Sequence, residues 1–366
     1  MRKLTSLQFD DQQDQALLKD IQDAATNYLI NNHDHRYADV GMFAKLILLS
    51  LLTFGFYVGC LLCEHALWYF VICYFLFIFM AMLLAVNVVH DASHNVFFKT
   101  PQANRWLNRI ITIPLGIDPD CWQVRHVAQH HPYTNIEHYD FDIDYNGFLR
   151  QTPYQRRHWY MRYQQYYWPF IAAMTFPTII WFFDWQDRLG IKFEKNKFTE
   201  NGAYNGLVGW LLFFIPKMLH LTITIILPIL VCEWLNFGIM LIIYLLSQMF
   251  SSMIFVMLLL GTHWAKATFY PIPKDGKMQH SQVRHTFDTS LNWRLKHPLF
   301  EYWIGGLNLH LTHHLYPGFC HRHYYELTII IHQIAKKHGI PCQDITLSEL
   351  FYYQQKFLKN MGKKQQ

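Results

Sequence analysis

The chain has 366 residues, of which 52% are hydrophobic and only 16% are charged, and its formal net charge is +5. An ordinary globular domain is about 25% charged, and a disordered chain combines high charge with few aromatic residues, whereas 17% of this chain is aromatic. The composition therefore excludes a disordered chain and predicts that the charge is confined to part of the sequence.

The N-terminal segment, residues 1–40, begins polar and acidic. It contains no apolar core and no cleavage site of a secretory signal, so we expect no cleavable signal here. Leu17, Ile21, Ala24 and Tyr28 recur at helical spacing, which predicts an amphipathic helix on the cytoplasmic side of a membrane.

Lysine and arginine are absent from two long stretches, residues 46–98 and 218–265, and these stretches hold only three acidic residues. A bilayer core about 30 Å thick is crossed by roughly 20 apolar residues in a helix, so each stretch has room for two spans and a tight turn. We predict membrane spans near residues 43–63, 66–89, 211–232 and 235–261.

The distribution of basic residues around these spans predicts their orientation. The turns near Glu64-His65 and Glu233-Trp234 lack Lys and Arg, whereas the connections on the other side are rich in both. The positive-inside bias then places both termini and the long middle segment in the cytoplasm. The predicted fold is an all-α, multi-pass membrane protein: residues 41–366 form one membrane domain, with two hairpins and a helical cytoplasmic cap from residues 90–210 and 262–366.

One further segment, Tyr166 to Phe183, is 18 residues long and uncharged, which is enough to be considered as a span. If it crossed the membrane, the second hairpin would be inverted. Its two prolines and many aromatic residues favour a helix that lies in the membrane interface instead.

Histidine is abundant, with 22 copies, and part of it is clustered. Spacings of three or four residues put imidazoles on one face of a helix. A single pair of this kind is more often a solvated face than a ligand set, but here three clusters fall on the same predicted side of the membrane, and His263 ends the fourth span beside them. Nine imidazoles exceed the ligand set of one metal ion and suit two. The clusters are His90-Asp-Ala-Ser-His94, His126-Val-Ala-Gln-His130-His131 and His310-Leu-Thr-His313-His314.

Imidazole binds zinc, copper, iron and nickel, so the ligands alone leave the metal open. A hydrolytic zinc site would more usually add a carboxylate, as in His-Glu-x-x-His, and that motif is not in the sequence. Two redox-active irons at a lipid surface point to dioxygen chemistry on an acyl chain, because no acid or base breaks an unactivated C–H bond.

The sequence strings around the clusters resemble those of the membrane-bound fatty acid desaturases, particularly the acyl-CoA and front-end, linoleoyl-CoA-type branch. The resemblance runs from about Arg36 to Pro341 and rests on VVHDASHNVFFKT with ANRWLNRI, on WQVRHVAQHHPYTNIEHYDFDID and on WIGGLNLHLTHHLYPGFCHRHYYEL. It implies two hairpins under a cytoplasmic cap and two non-haem irons with dioxygen as co-substrate. The ligands it implies are His90, His94, His126, His130, His131, His263, His310, His313 and His314.

Two departures from the family pattern bear on the chemistry. The first position of the third box is often glutamine in this branch, whereas this chain has His310. The sequence has no His-Pro-Gly-Gly haem signature and no GxGxxG turn. We therefore expect electrons from a separate donor, a ferredoxin or a cytochrome b-type protein with its reductase. Arg156, Arg157 and Arg162 either steer such a donor or simply follow the positive-inside bias.

The expected function is oxygen-dependent desaturation of a lipid-linked or CoA-linked acyl chain in a bacterial inner membrane or the endoplasmic reticulum. The alternative is a related di-iron hydroxylase or ketolase that acts on carotenoids, alkanes or sphingolipid bases. A metal transporter is disfavoured, because transporters hold their sites near the bilayer midplane and the predicted spans carry few polar ligands. We expect membrane lipid as a partner and no nucleic acid.

Several residues near the boxes are candidates for orienting a ligand. Asp91, Asp140, Asp142 and Asp144 offer carboxylates to a histidine, and Asn308 offers a water-mediated contact to a metal. His321 and His323 are candidates for outer contacts or for binding a lipid headgroup. The seven cysteines are expected to be free thiols.

Overall fold

The computed structural model describes residues 7–63, 66–191, 206–342 and 344–364. The described residues are mostly helical, as the sequence predicts, with only short strands. The predicted turn at Glu64-His65, the lysines at 192, 195 and 197, and the last two residues lie outside the described residues.

The helices of the first half of the chain include long apolar segments and several short turns. The α-helices are α1 (Gln15–Asn31), α2 (Val40–Leu61), α3 (Leu67–Leu84), α4 (His90–Ser93), α5 (Pro101–Ile111), α6 (Pro119–Gln123), α7 (Gln164–Ala173), α8 (Thr175–Thr178) and α9 (Asp184–Arg188). Segments of π-helix cover Ala85–Val89, Val124–His130 and Ile179–Phe183, and 3₁₀ turns cover His131–Tyr133, Phe141–Ile143 and Trp159–Tyr163.

The second half follows the same pattern and adds two short parallel strands. Its α-helices are α10 (Gly206–Leu221), α11 (Leu227–Val231), α12 (Phe237–Trp264), α13 (Gln282–Thr289), α14 (Pro298–Trp303), α15 (His310–Leu315), α16 (Tyr324–Lys337) and α17 (Leu347–Met361), with π-helix at Thr222–Ile226 and a 3₁₀ turn at His321–His323. Strand β1 (Trp293–Arg294) pairs with β2 (Ile345–Thr346), Trp293 opposite Ile345.

Within the described residues, four helical runs are long and apolar enough to cross a membrane, in agreement with the four predicted spans. Their ends differ from the predicted ends by a few residues. His90 and His263 lie inside the last turns of the second and fourth runs. The runs are Val40–Leu61, Leu67–Ser93, Gly206–Val231 and Phe237–Trp264.

The uncharged segment from Tyr166 to Phe183 does not form one long helix. Pro169 lies inside α7, and a turn at Met174 separates α7 from the helical residues that follow. Neither part reaches the roughly 20 residues that a span needs, which is consistent with a segment that does not cross.

The chain divides into two compact units. In the unit formed by residues 38–124 and 169–257, which we call unit 2, α2 and α3 pack closely at Gly59, where an added β-carbon would lie 3.3 Å from Cys73 Sγ. The buried Lys217 donates to Asp184 Oδ2 at 2.7 Å and to Gly116 O at 2.6 Å. A lysine inside an apolar helix is costly unless it is paired, so these contacts explain how α10 tolerates it.

The other unit, unit 1, is formed by the described residues of 1–37, 125–168 and 258–366. One apolar cluster of this unit joins α1 and α16: Leu17, Ile21 and Ala25 are buried together with Leu327 and Ile331. The helix predicted around Leu17 and Ile21 is therefore confirmed, and its apolar face is buried in protein.

Helix α17 packs against the last turns of α12 in unit 1. Gly261 permits the contact, because an added β-carbon there would overlap the side chains of Gln354 and Leu350. Gln354 and Leu350 are fully buried. The close approach fixes α17 beside the residues that follow Gly261, which include His263.

Candidate metal centre

Three separate segments of unit 1 carry the histidines of the second and third clusters and His263. His126 and His130 lie on the π-helical segment Val124–His130, and π-helical segments inside helices are frequent at functional sites. Their rings stack with centroids 5.8 Å apart. The third cluster lies on α15, where spacings of three and four put its histidines on one face.

Four of these histidines form one compact group. His130, His263, His310 and His314 each offer a ring nitrogen, and these nitrogens all lie within 4.8 Å of one another. The Nε2 atoms of His310 and His314 are 3.2 Å apart. Since an imidazole nitrogen binds a metal at about 2 Å, two ligands of one ion lie at most about 4 Å apart, so small side-chain shifts suffice to bind an ion here.

The remaining histidines of unit 1 converge beside this group. His131 Nε2 lies 3.2 Å from His126 Nε2 and 2.8 Å from His313 Nε2. The ring of His131 also stacks on His314 at 4.2 Å. All seven histidines that the sequence predicts as ligands in unit 1 therefore lie together.

The ring nitrogens that face away from the centre are held by protein groups. His130 Nδ1 lies 2.9 Å from Asp140 Oδ1, His263 Nδ1 lies 2.9 Å from Thr289 O, and His313 Nδ1 lies 2.8 Å from Tyr324 Oη. A partner on Nδ1 fixes the ring and leaves Nε2 as the metal-binding atom. His263 Nε2 is buried and has no hydrogen-bond partner among the described residues. A metal ion would satisfy this nitrogen.

The pKa values of the grouped histidines are shifted in opposite directions. Burial, with the imidazoles of His310 and His263 nearby, lowers the pKa of His314 well below its usual value, which keeps this ring neutral and able to bind a metal. Burial would also lower the pKa of His130, but the carboxylates of Asp140 and Asp142 outweigh it and raise that pKa to about 9.

The first cluster belongs to unit 2. His90 and His94 lie at the end of the run that starts at Leu67, directly after the π-helical segment Ala85–Val89, and their ring centroids are 5.3 Å apart. Burial and the neighbouring His90 lower the pKa of His94 to about 3. Both rings are thus close enough to be neighbouring ligands, as their spacing predicts.

The predicted orienting residues have different roles. Asp140 contacts His130 directly, and Asp142 Oδ2 lies 3.4 Å from the same nitrogen. Asp91 Oδ1 lies 3.9 Å from His90 Nδ1. Asp144 follows a 3₁₀ turn, where its N–H donates to Phe141 O.

The other polar candidates, Asn308, His321 and His323, lie on either side of the third histidine cluster in the sequence. Asn308 is buried and its Nδ2 has no partner among the described residues, so it remains a candidate for a water-mediated contact. His323 contacts His35 O at 3.0 Å and Tyr28 Oη at 3.0 Å, which makes it a link to the N-terminal segment. His321 is buried.

Sequence reasoning did not identify Tyr324 or Thr289. Tyr324 follows His313 by eleven residues and is separated from it by a turn, so no helical spacing relates the two. Thr289 acts through its backbone carbonyl, which any residue type would supply. Only the tertiary structure brings these groups to the ligands.

The donor set of unit 1 is nitrogen from imidazole, with carboxylate, carbonyl and phenol oxygens one contact further out. Imidazole sites suit iron, copper, nickel and zinc. The lowered pKa of His314, the buried His263 Nε2 without a hydrogen-bond partner among the described residues and the fixed Nδ1 atoms all fit a bound transition metal.

Comparison with known proteins gives a consistent assignment. Residues 65–346 match the family model described as fatty acid desaturase. The chain is 28% identical over 270 residues to the sn-1 linoleoyl-lipid 6-desaturase of Synechocystis sp., covering 69% of each chain. It is 24% identical over 260 residues to the protein of the same name from Arthrospira platensis, covering 69% of this chain and 67% of that one. It is 25% identical over 265 residues to the acyl-lipid (8-3)-desaturase of Physcomitrium patens, covering 72% of this chain and 54% of the relative.

Proposed function

The chain belongs to the fatty acid desaturase family, and from this we propose that it uses dioxygen and two histidine-bound irons to introduce a double bond into a lipid-linked or CoA-linked acyl chain. It is an integral membrane enzyme that desaturates acyl chains. The observation that supports the metal chemistry best is the convergence of imidazoles in unit 1.

We propose all nine predicted histidines as iron ligands. In unit 1, His130, His263, His310 and His314 are the ligands of one iron, because their nitrogens already form a compact group. His126, His131 and His313 lie beside them. His90 and His94 are included because of their sequence motif and their neighbouring rings.

The irons, when bound, supply the dioxygen chemistry that side chains lack. Overall, two hydrogens of a saturated acyl segment, two protons and two electrons from a donor reduce dioxygen to two waters, and the acyl chain gains a double bond. Burial keeps His314 neutral, and Asp140, Thr289 and Tyr324 orient the rings of His130, His263 and His313.

The proposal also covers the arrangement of the chain in the membrane, the electron donor and the substrate carrier. The four apolar runs form two hairpins, and the basic connections place the histidines on the cytoplasmic side. Electrons come from a separate ferredoxin or cytochrome b-type protein with its reductase. The similar proteins from Synechocystis, Arthrospira and Physcomitrium are named for lipid-linked substrates, which favours a lipid-linked acyl chain here.

The test is to express the chain with a compatible electron donor and to profile total acyl chains by mass spectrometry. We expect a new double bond in cells with the native chain and none with His313→Ala, since removal of this imidazole opens a coordination position. His35→Ala, which removes an exposed histidine outside the centre, serves as the matched control and should keep the activity.

Hydroxylated or ketone products in place of a double bond would contradict the proposal and favour the related hydroxylase or ketolase. Purified protein with zinc as its metal would contradict the irons. Full activity of His263→Ala would remove His263 from the ligand set.

A further inference from the structure

Two neighbouring segments of unit 1 carry basic residues and no acidic ones. Residues 145–168 contain four arginines, residues 350–364 contain four lysines, and neither contains Asp or Glu. A surface of one charge sign steers partners of the opposite sign and raises association rates. Arg150 is buried and the exposed Glu349 lies in the first turn of α17, so the exposed charges of these segments are mostly, not only, positive. A mostly positive surface is complementary to an acidic partner.

The lysines of α17 form a stripe. Tyr352, Lys356 and Lys359 are spaced by four and three residues, so they lie on one side of α17, and Lys363 follows just after the helix ends at Met361. All four are exposed. The apolar side of α17, with Leu350 and Leu358, is buried in the protein. An interfacial membrane helix would instead present an apolar face to lipid, so the exposed face of α17 fits a water-soluble partner.

The arginine segment lies beside the C-terminal end of α17. Arg157 Nε donates to Gly362 O at 2.7 Å, and an added β-carbon at Gly362 would contact Met161 and lie 3.1 Å from Arg162 Cα. The exposed Arg156 and Arg162 therefore extend the lysine stripe. We call Arg156, Arg162, Lys356, Lys359, Lys363 and Lys364 the basic face.

Beneath the basic face, each of the two segments places an aromatic ring against Trp264. Phe357 of α17 stacks on Trp264 with centroids 5.4 Å apart, and Trp168 meets it edge-on at 5.9 Å. Trp264 is buried and directly follows His263 in the chain. Aromatic rings in contact are a favourable medium for electron tunnelling, and this set leads from the lysine stripe to the neighbour of a proposed ligand.

We propose that the basic face is the docking surface for an acidic one-electron carrier protein, and that Phe357 and Trp264 form its electron route to His263. This inference rests on the proposed function, which requires two electrons for each double bond. In each docking event the reduced carrier loses one electron and leaves oxidised, and the metal centre gains that electron. Two such events supply the two electrons.

The first test measures binding and does not depend on turnover. The purified holoenzyme in zwitterionic nanodiscs is titrated with two acidic carriers, a plant-type ferredoxin and the soluble domain of cytochrome b5, at low and at physiological salt. We expect at least one to bind, with affinity that falls as salt rises. Reversing Lys356, Lys359 and Lys363 to Glu should weaken that affinity by about tenfold or more.

The matched control reverses three exposed lysines elsewhere in unit 1, Lys274, Lys277 and Lys336, which changes the net charge equally. This variant should keep most of the affinity. Absence of binding by both carriers, or equal losses in the two triple variants, would overturn the docking surface. Loss of binding to phosphatidylglycerol vesicles without any change in carrier affinity would also overturn it, because the face would then be a lipid contact.

The route has a separate readout, the stopped-flow reoxidation of the reduced carrier by the oxidised holoenzyme. Phe357→Leu should slow this reaction severalfold while the carrier affinity stays as in the native chain. Phe287→Leu, in the cluster that joins α1 and α16, is the matched control. Equal rates for the two variants would exclude Phe357 from the route. An enzyme that binds and oxidises the carrier but forms no double bond would contradict the proposed function and leave the docking surface intact.

Discussion

At the scale of single residues, the ligands of the candidate centre differ in the group that holds their outer nitrogen. His130 has a carboxylate, His263 a backbone carbonyl and His313 a phenol. A carboxylate makes an imidazole more basic than a neutral acceptor does. The ligands are therefore chemically unequal although their side chains are identical.

The hydroxyl of Tyr324 is expected to contribute to metal affinity. Tyr324→Phe removes the oxygen that lies 2.8 Å from His313 Nδ1, and loss of such an outer partner typically lowers metal affinity by about 10- to 100-fold. Chelator competition on the purified protein measures this change. In the control Tyr316→Phe, which removes a buried hydroxyl that donates to Ile21 O at 2.8 Å, the metal affinity should stay unchanged.

Asp140 is expected to act through its charge. Asp140→Asn removes the carboxylate that raises the pKa of His130. Both oxygens of Asp140 also accept hydrogen bonds, from Asn135 N and Asp142 N, and an asparagine has only one side-chain oxygen for these two donors. We expect a roughly 10- to 100-fold loss of metal affinity and a lower Tm. Asp142→Asn should have a smaller effect, because its oxygen lies 3.4 Å from His130 and is partly exposed. Equal effects of the two variants would argue against a special role for Asp140.

One pH dependence arises away from the metal centre. The hydrogen bond of His332 to Asp344, helped by Cys342, raises the pKa of His332 from 6.5 to about 10. A raised pKa means that the pair stabilises the fold fully below about pH 6.5 and that this stabilisation is lost as the pH rises to about 10. The half-exposed pair is worth up to about 1 kcal/mol. The difference in Tm between the native chain and His332→Gln should therefore shrink over this pH range; a constant difference would contradict the pairing.

Residue patterns predicted the histidines of the candidate site but not all of the groups that contact them. The nine histidines stand out because their spacings of three and four residues are local, and Asp140 lies ten residues from His130 within the same motif. The contacts of Tyr324 and Thr289 arise only after distant segments meet. Local spacing carries no information about such contacts.

At the scale of helices, the docking of α17 on α12 depends on the absence of a side chain at Gly261. Gly261→Ala would push a methyl group into Gln354 and Leu350, and such overpacking typically costs about 1 to 3 kcal/mol. We expect a lower Tm in detergent and, because α17 carries Phe357, slower oxidation of the carrier.

Gly55→Ala in α2 is the control for Gly261→Ala, because nothing lies within 4 Å of an added β-carbon there. Alanine also has the higher helix propensity, so this variant should not lose stability. A Tm of Gly261→Ala equal to that of the native chain would show that α12 and α17 accommodate the added methyl group without loss of stability.

The apolar runs were predicted within a few residues because a span's length is set by the bilayer and its composition by the lack of water. The π-helical segments at Ala85–Val89 and Val124–His130 were not predicted. A π-turn differs from an α-turn by a single inserted residue, and this difference cannot be predicted from the pattern of hydrophobic residues. These segments nevertheless set the directions of His90, His126 and His130.

At the scale of the whole molecule, the metal ions are expected to stabilise the fold as well as to serve the chemistry. The proposed ligands of unit 1 come from the segments at 124–131, 263 and 310–314, so an ion bound there would tie distant parts of the chain together. A ligand present at 100 times its Kd adds about 2.7 kcal/mol to stability. Removal of metal with a chelator should therefore lower the Tm, and added iron should restore it. An unchanged Tm after complete metal removal would contradict binding to these histidines.

The sequence by itself determined the number of apolar spans, the absence of charge from them and the set of histidines, because these features depend on composition and on spacings within a few residues. Only the tertiary structure decided which histidines share a group, which oxygen holds each outer nitrogen and which aromatic rings lie beside Trp264. Those contacts join residues separated by up to nearly two hundred positions. They are set by packing, as at Gly261, where a missing β-carbon lets two helices touch.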